Sequence, residues 1–275
     1  MPMSSFKITL IVAVVALGGW LWFQRDNQIP QSFIAFLDVG QGDATYIRTT
    51  TGADVFIDGG PDRTILERVP EVMQPFDTTI ETLILTHPDA DHITGIVELV
   101  KRYDVQQIIT TALPATKPLH LELLQLIEDK HIQHVIVSAG DELQLDTAMY
   151  CIVLYPSLTT PLSSLETNDT SLTLECHFDA TTILFTGDMS SLVEKELVQN
   201  VMLTDIDVLK VPHHGSKSAS TAEFLAAITP ELCIIEVGSN NQYGHPHQEV
   251  MDRLQQYCQI RRTDQEGTII IPLSQ

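Results

Sequence analysis

Between Leu83 and Ile96 the sequence reads Leu-Ile-Leu-Thr-His-Pro-Asp-Ala-Asp-His-Ile-Thr-Gly-Ile, which places His87, Asp89, Asp91 and His92 within six positions. The apolar run ending at Thr86 reads as a buried strand, and an apolar, helix-like pattern begins at Ile93. Imidazole and carboxylate at this density suit divalent metal: histidine binds zinc, manganese and iron alike, and carboxylates shift the balance towards harder ions. His87 and Asp89 lie two apart and project to one side of an extended loop, whereas the adjacent Asp91 and His92 project differently. One loop can therefore feed two neighbouring ions, an arrangement suited to hydrolysis. The plainer alternative is a solvated acidic turn.

Later residues extend this chemistry. Asp188 closes the run Ile183-Leu184-Phe185-Thr186-Gly187-Asp188 just before a helix expected from Ser190, a position from which it can bridge two ions. Pro212-His213-His214-Gly215-Ser216 follows a strand expected over Asp205 to Val211, and two histidines at a strand terminus with a glycine behind them suggest another ligand loop. The polar loop Gly238 to His247 and the Ser/Thr/Pro-rich loop Pro156 to Glu166 are of the kind that carries binding groups or borders a cleft. Asp38, Asp43 and Asp58 sit at strand ends, where a carboxylate either caps a turn or orients metal ligands.

To hold these groups the chain must supply strands ending at each motif. Strands are expected over Phe33–Leu37, Ala44–Arg48, Val55–Gly60, Val105–Ile109, His134–Val137, Met149–Tyr155, Ser171–Phe178, Leu232–Val237 and Thr268–Ile271. Helices are expected over Arg63–Met73, Ile93–Tyr103, Pro118–Lys130, Gln248–Tyr257 and from a cap at Ser220 to Ile228. The hairpin Ser171–Phe178, turn Asp179-Ala180, Thr181–Asp188 repeats the one ending at Ile57-Asp58-Gly59, which suggests two hairpin-plus-helix halves in a two-sheet sandwich with helices outside; coincidence between two ordinary hairpins is the alternative. His120, His131 and His134 read as structural or solvated. The four cysteines show no CxxC spacing, and Cys151, Cys176 and Cys233 sit in apolar runs, so they read as core residues; outside the cytoplasm they could pair in three ways.

Acidic residues number 36 against 15 Lys plus Arg, a net charge of −21 that opposes non-specific attraction to nucleic acid or anionic lipid. Lys210, Lys217, Arg261 and Arg262 are the few bases near the motifs, and each reads first as ordinary solvated surface. Residues 8–23 carry no charge, follow Lys7 and contain Trp20 and Trp22 near one end, so residues 1–29 are expected to be a signal anchor with a short linker. A cleaved signal peptide is the rival, without a clean small-x-small site, and a buried helix is the blander choice. Either of the first two puts the remainder, residues 30–275, outside the cytoplasm, membrane-anchored or secreted/periplasmic.

Taken together, Leu37-Asp38-Val39-Gly40-Gln41-Gly42-Asp43-Ala44, Ile57-Asp58-Gly59-Gly60, Thr86-His87-Pro88-Asp89-Ala90-Asp91-His92, Asn168-Asp169-Thr170-Ser171-Leu172, Phe185-Thr186-Gly187-Asp188, Lys210-Val211-Pro212-His213-His214-Gly215-Ser216 and Tyr243-Gly244-His245-Pro246-His247 resemble the metallo-β-lactamase superfamily, and within it the C-terminal domain of the ComEC competence proteins. The resemblance implies an α/β fold, a four-layer αββα sandwich with a metal site at one edge of the two sheets. It implies two divalent ions, zinc or manganese, with His87 and Asp89 as ligands of the first, Asp91 and His92 of the second, Asp188 bridging and His213 following the later strand, His214 being its close competitor. Asp91 would also be the catalytic group that orients the attacking water. Asn168, His214, Ser216 and His245 would contact substrate, and Asp43 and Asp58 would orient ligands. Two departures from the commoner pattern, Asp89 where histidine is usual and Asn168-Asp169 where a third-motif histidine is usual, make the first site oxygen-rich and weaker. The implied activity is metal-dependent hydrolysis of phosphodiesters, with extracellular DNA as one substrate. A small ester, lactone or β-lactam is the second reading, and a non-catalytic partner module in DNA uptake the third.

Overall fold

The computed structural model describes residues 31–273 except Asp179 and Met202. The expected anchor over residues 8–23 and the turn residue Asp179 lie outside the described residues, and among those described no helix is long and apolar enough to cross a membrane. Fourteen strands form two seven-stranded sheets. The first runs β14 (Ile269–Pro272), β1 (Phe33–Phe36), β2 (Thr45–Arg48), β3 (Asp54–Ile57), β4 (Thr79–Ile84), β5 (Asp104–Thr110), β6 (Gln133–Ile136). The second runs β13 (Gln259–Arg262), β12 (Leu232–Ile235), β11 (Val208–Lys210), β10 (Thr181–Phe185), β9 (Thr173–Phe178), β8 (Met149–Tyr155), β7 (Glu142–Gln144).

Each sheet has one antiparallel and one parallel half, and the same order of connections makes both. From β1 to β3 and from β7 to β10 neighbours are antiparallel; from β3 to β6 and from β10 to β13 they are parallel. A parallel neighbour needs a crossover. These are α1 (Ile65–Val72), α2 (Ala90–Arg102) and α3 (Pro118–Lys130) in the first half and α4 (Ser191–Asn200), α5 (Ala222–Ile228) and α6 (Gln248–Leu254) in the second. The repeated hairpin is thus part of a repeated architecture. A short α7 (Thr263–Glu266) leads into β14, which returns to pair with β1 in the first sheet.

Strand alternation divides the apolar side chains between two layers. Ile34, Phe36, Ile47, Val55 and Ile57 of the first sheet meet Leu174, Cys176, Phe178, Ile183 and Phe185 of the second, with the rings of Phe36 and Phe185 6.3 Å apart across the interior. On the outer face of the second sheet, Leu184, Leu209 and Cys233 pack on Val193 and Leu197 of α4, Phe224 and Ile228 of α5, and Val250 and Leu254 of α6. The fold class is the four-layer αββα sandwich that the motifs imply.

Several local expectations are corrected. The strand expected over Asp205–Val211 is only β11, and β7, β13 and α7 are elements not expected from the sequence. Thr221, not Ser220, caps α5, its hydroxyl accepting from Phe224 N–H at 3.2 Å. The cysteines are not simple core thiols: Cys151 bonds Cys176 and Cys233 bonds Cys258. Cys151 and Cys176 are direct partners in the β8–β9 ladder, a proximity that only the strand register creates.

Candidate metal centre

The chemistry-bearing residues collect where parallel strands end, the usual place for a site in sheets of this kind. β3 delivers Asp58, β4 delivers Thr86 and His87, α2 opens with Asp91 and His92, β10 delivers Asp188, and a single 3₁₀ turn after β11 (Pro212–Gly215) carries both His213 and His214. Backbone strain accumulates here: Asp58, His213 and His214 have φ of 58°, 50° and 53°, the left-handed region that L-residues with side chains rarely enter.

One carboxylate orients two imidazoles. Asp58 Oδ2 lies 2.8 Å from His92 Nδ1 and accepts from Thr86 Oγ1 at 2.6 Å, while Thr86 Oγ1 lies 3.1 Å from His87 Nδ1. His214 is fixed similarly, its Nδ1 2.8 Å from the carbonyl oxygen of Glu236. With every Nδ1 thus engaged, three Nε2 atoms face inward. Ligand atoms of Asp91, His92, Asp188 and His214 all lie within 4.8 Å of one another. Asp188 Oδ2 is 3.4 Å from His92 Nε2 and 3.5 Å from His214 Nε2, and Asp91 Oδ2 is 3.5 Å from His214 Nε2. Asp58, His87 and His92 form a second close group, in which Asp58 is already saturated by its hydrogen bonds.

Among the described residues, His87 Nε2, His92 Nε2, His214 Nε2 and Asp188 Oδ1 are buried polar atoms without a hydrogen-bond partner. Stranded donors and acceptors are costly unless something satisfies them. His92, His214 and Asp188, with Asp91, offer nitrogen and oxygen atoms close enough to share a divalent ion, and His87 belongs to the second group.

Electrostatics agree. Burial opposes charge on every member, yet His214 and His92 hold the Asp188 carboxyl well below its ordinary range. Asp188 and Asp43 in turn lift His214 to about 10, again against burial, and Asp188, Asp58 and Asp43 lift His92 well above the usual imidazole value. Burial, with His92 beside it, pushes His87 well below that value, which keeps its ring neutral. The carboxylates demand positive charge, and in the absence of an ion protons on His92 and His214 supply it.

The structure treats the expected residues unequally. His214, rather than His213, joins Asp91, His92 and Asp188. His213 Nε2 stands 3.9 Å from Asp188 Oδ2, and its ring lies 3.2 Å from Asn168 Nδ2 and 5.5 Å from the His245 ring. Asn168, His213 and His245 therefore line the mouth together, with burial and the neighbouring histidines pressing His245 down to about 4. Ser216 is turned to Ser218 Oγ at 3.0 Å. Asp89 is 28% exposed, 3.8 Å from His87 Nε2, and is held by the Lys117 ammonium.

Sequence reading missed three charged residues. Lys210, expected on the surface, is 2% exposed and lies on Asp43, with Asp188 Oδ1 at 3.8 Å. Glu236, at 1% exposure, accepts from Ala44 N–H at 3.0 Å and Thr45 Oγ1 at 3.2 Å, and burial with the nearby Asp43 pushes it up to about 8. The available signal was a charge inside an apolar strand, in Val208-Leu209-Lys210-Val211 and Ile234-Ile235-Glu236-Val237. Lys117 carried no such signal. Arg261 and Arg262 are not free cations either, being paired with Glu266 and Asp264.

Residues 37–147 match the metallo-beta-lactamase superfamily. Over 86% of its length the chain is 32% identical to ComE operon protein 3 of Bacillus subtilis, and over 92% it is 29% identical to Recombination protein 2 of Haemophilus influenzae. It spans about a third of each of these relatives, 32% and 29% respectively. In fold it is similar to a metallo hydrolase from the archaeon Ignicoccus hospitalis (TM-score 0.54, 14% identity, 88% of this chain and 100% of that one). A similar fold is found in zinc-bound PqqB from Methylobacterium extorquens (TM-score 0.55, 10% identity, 87% of this chain and 100% of that one). The ligand-rich loop, the doubled sheet-and-helix halves and these relatives agree: residues 37–147 carry the metallo-β-lactamase superfamily match, and the chain is similar over most of its length to competence proteins of the ComEC type.

Proposed function

We propose that residues 30–275 are a metal-dependent hydrolase acting on phosphodiesters. The observation that carries this is the cluster of Asp91, His92, Asp188 and His214, whose ligand atoms all lie within 4.8 Å of one another, with His92 Nε2, His214 Nε2 and Asp188 Oδ1 buried and unpartnered. A divalent ion, zinc or manganese, would supply there an acidified water and a charge opposite the substrate oxygen. His92, Asp188, His214 and Asp91 would hold it, and His87 and Asp89 would make a weaker half-site. Asp91, 30% exposed and facing His214, would orient the attacking water. Asn168, His213 and His245 at the mouth contact substrate. Asp43, Asp58 and the Glu236 carbonyl keep the imidazoles in one tautomer, as metal sites generally require.

Phosphodiester substrates, including single strands of DNA, are favoured by the likeness to a protein named Competence protein ComA and to the ComE operon protein. Two disulfides support a domain outside the cytoplasm, following an anchor or cleaved leader at residues 8–23. The test is metal analysis of the purified domain together with hydrolysis of bis-p-nitrophenyl phosphate and of nitrocefin. Bound metal with phosphodiesterase activity is expected. Brisk nitrocefin or lactone hydrolysis without phosphodiesterase activity would favour a small-ester enzyme, and neither activity in a metal-loaded domain would favour a partner module.

A further inference from the structure

The half-site formed by His87 and Asp89, 3.8 Å apart, already contains a cation. Lys117 Nζ lies on Asp89 Oδ1 and donates to Thr167 Oγ1 at 3.0 Å, next to Asn168. Neither charged residue is there for its helix. Asp89 is the N-cap of α2 but makes no side-chain cap hydrogen bond, because its carboxylate is turned to the lysine. Lys117 stands at the N-cap of α3, the helix end whose partial positive charge repels an ammonium. A cation placed against the helix dipole and satisfied by a carboxylate of a metal half-site indicates a requirement for charge at that point.

Lys117 also borders open space. It lines a cleft of about 150 Å³ bounded by Pro88, Leu113, His120, Leu162 and Thr167. The ammonium thus stands between the ligand loop and the cleft. An ion bound through Asp89 would have to displace it or accept a like charge alongside, which electrostatics oppose. The half-site has little to win that competition with, since one nitrogen ligand, His87, stands beside Asp89.

We propose that Lys117 takes the place of the first metal ion. The centre then holds one divalent ion, at Asp91, His92, Asp188 and His214, and Lys117 provides the second positive charge towards an anionic substrate entering from the adjoining cleft. This rests on the reading of those four residues as ligands, and the experiment keeps the two apart.

The test counts ions by equilibrium dialysis with zinc and with manganese, followed by elemental analysis, for the wild-type chain and for Lys117→Met, Lys117→Arg and Asp188→Ala. One tightly held ion is expected in the wild type and in Lys117→Arg. Lys117→Met removes the charge and keeps the length, so it should take up a second ion at least about tenfold more tightly than the wild type does. In its one-ion form Lys117→Met should also show a KM for bis-p-nitrophenyl phosphate raised by about tenfold or more with kcat less affected. Two equally tight ions in the wild type, or unchanged second-ion affinity in Lys117→Met, would overturn the proposal while leaving the four-ligand reading intact. Full metal content in Asp188→Ala would overturn that reading and the proposal with it.

Discussion

Asp58 has no need to touch metal to govern the centre, because it holds His92 directly and His87 through Thr86. Losing such a support typically costs about 10–100-fold in metal affinity, so Asp58→Asn should lie in that range in a zinc titration. The two adjacent histidines should separate more sharply. His214→Ala removes a ligand and should release most of the metal, whereas His213→Ala should keep it and impair turnover; the reverse pattern in elemental analysis would move the ligand to His213. Protonation gives a third expectation. With metal removed, His214 titrates at about 10 in the folded chain against an ordinary 6.5. The stability it contributes is therefore complete below about pH 6.5 and lost as pH rises towards 10. Asp188, held low, contributes in the opposite sense, and its share is lost only in acid. In chelator the unfolding temperature should fall between pH 6 and pH 9, and zinc binding near pH 7 should release protons in calorimetry across buffers of different ionisation enthalpy. A melting temperature that climbs over that interval would contradict the charge state described for His214.

At the scale of elements, the ligand loop depends on a crossing of backbone against backbone. Gly59 N–H donates to the His92 carbonyl at 2.9 Å and Gly95 N–H to the Gly60 carbonyl at 3.1 Å, which presses the first turn of α2 onto the end of β3. A Cβ on Gly95 would stand 1.8 Å from the Gly59 carbonyl oxygen. Helix propensity favours Ala over Gly by about 1 kcal/mol, but this contact reverses the sign. Gly95→Ala should therefore destabilise by about 3 kcal/mol or more in urea unfolding and weaken metal binding as His92 shifts; a more stable variant would show that the crossing yields easily. Much of this assembly was legible in the sequence. The loop from His87 to His92, the strand ends at Asp58 and Asp188 and the helices on either side announce themselves by residue type and period. What escaped depends on partners brought from afar. Cys151 meets Cys176 through strand register, Lys210 becomes buried because Asp43 arrives from the other sheet, and Lys117 acquires its role from Asp89 on a neighbouring helix. The choice between His213 and His214 turned on two left-handed residues in one turn, which no periodicity encodes.

Across the whole molecule, an acidic surface surrounds a site proposed to act on polyanions. The bases that could have formed a track are otherwise engaged: Lys210 is buried on Asp43, and Arg261 and Arg262 pair with Glu266 and Asp264. Lys117, though exposed, is paired with Asp89, which leaves the exposed Lys217 near the later histidine loop. Each phosphate neutralised by a protein cation adds about 0.9 to the slope of log affinity against log salt for duplex DNA, so a surface with few free cations should give a shallow slope. Attraction should instead come from the centre itself, where a bound ion and Lys117 address one or two phosphates. Small phosphodiesters and single-stranded ends, which can enter the cleft, should then be cleaved faster than internal duplex sites. Rates measured side by side over a salt series decide the matter: preference for internal duplex together with a steep salt dependence would require a basic surface that the net charge of −21 and these ion pairs do not provide.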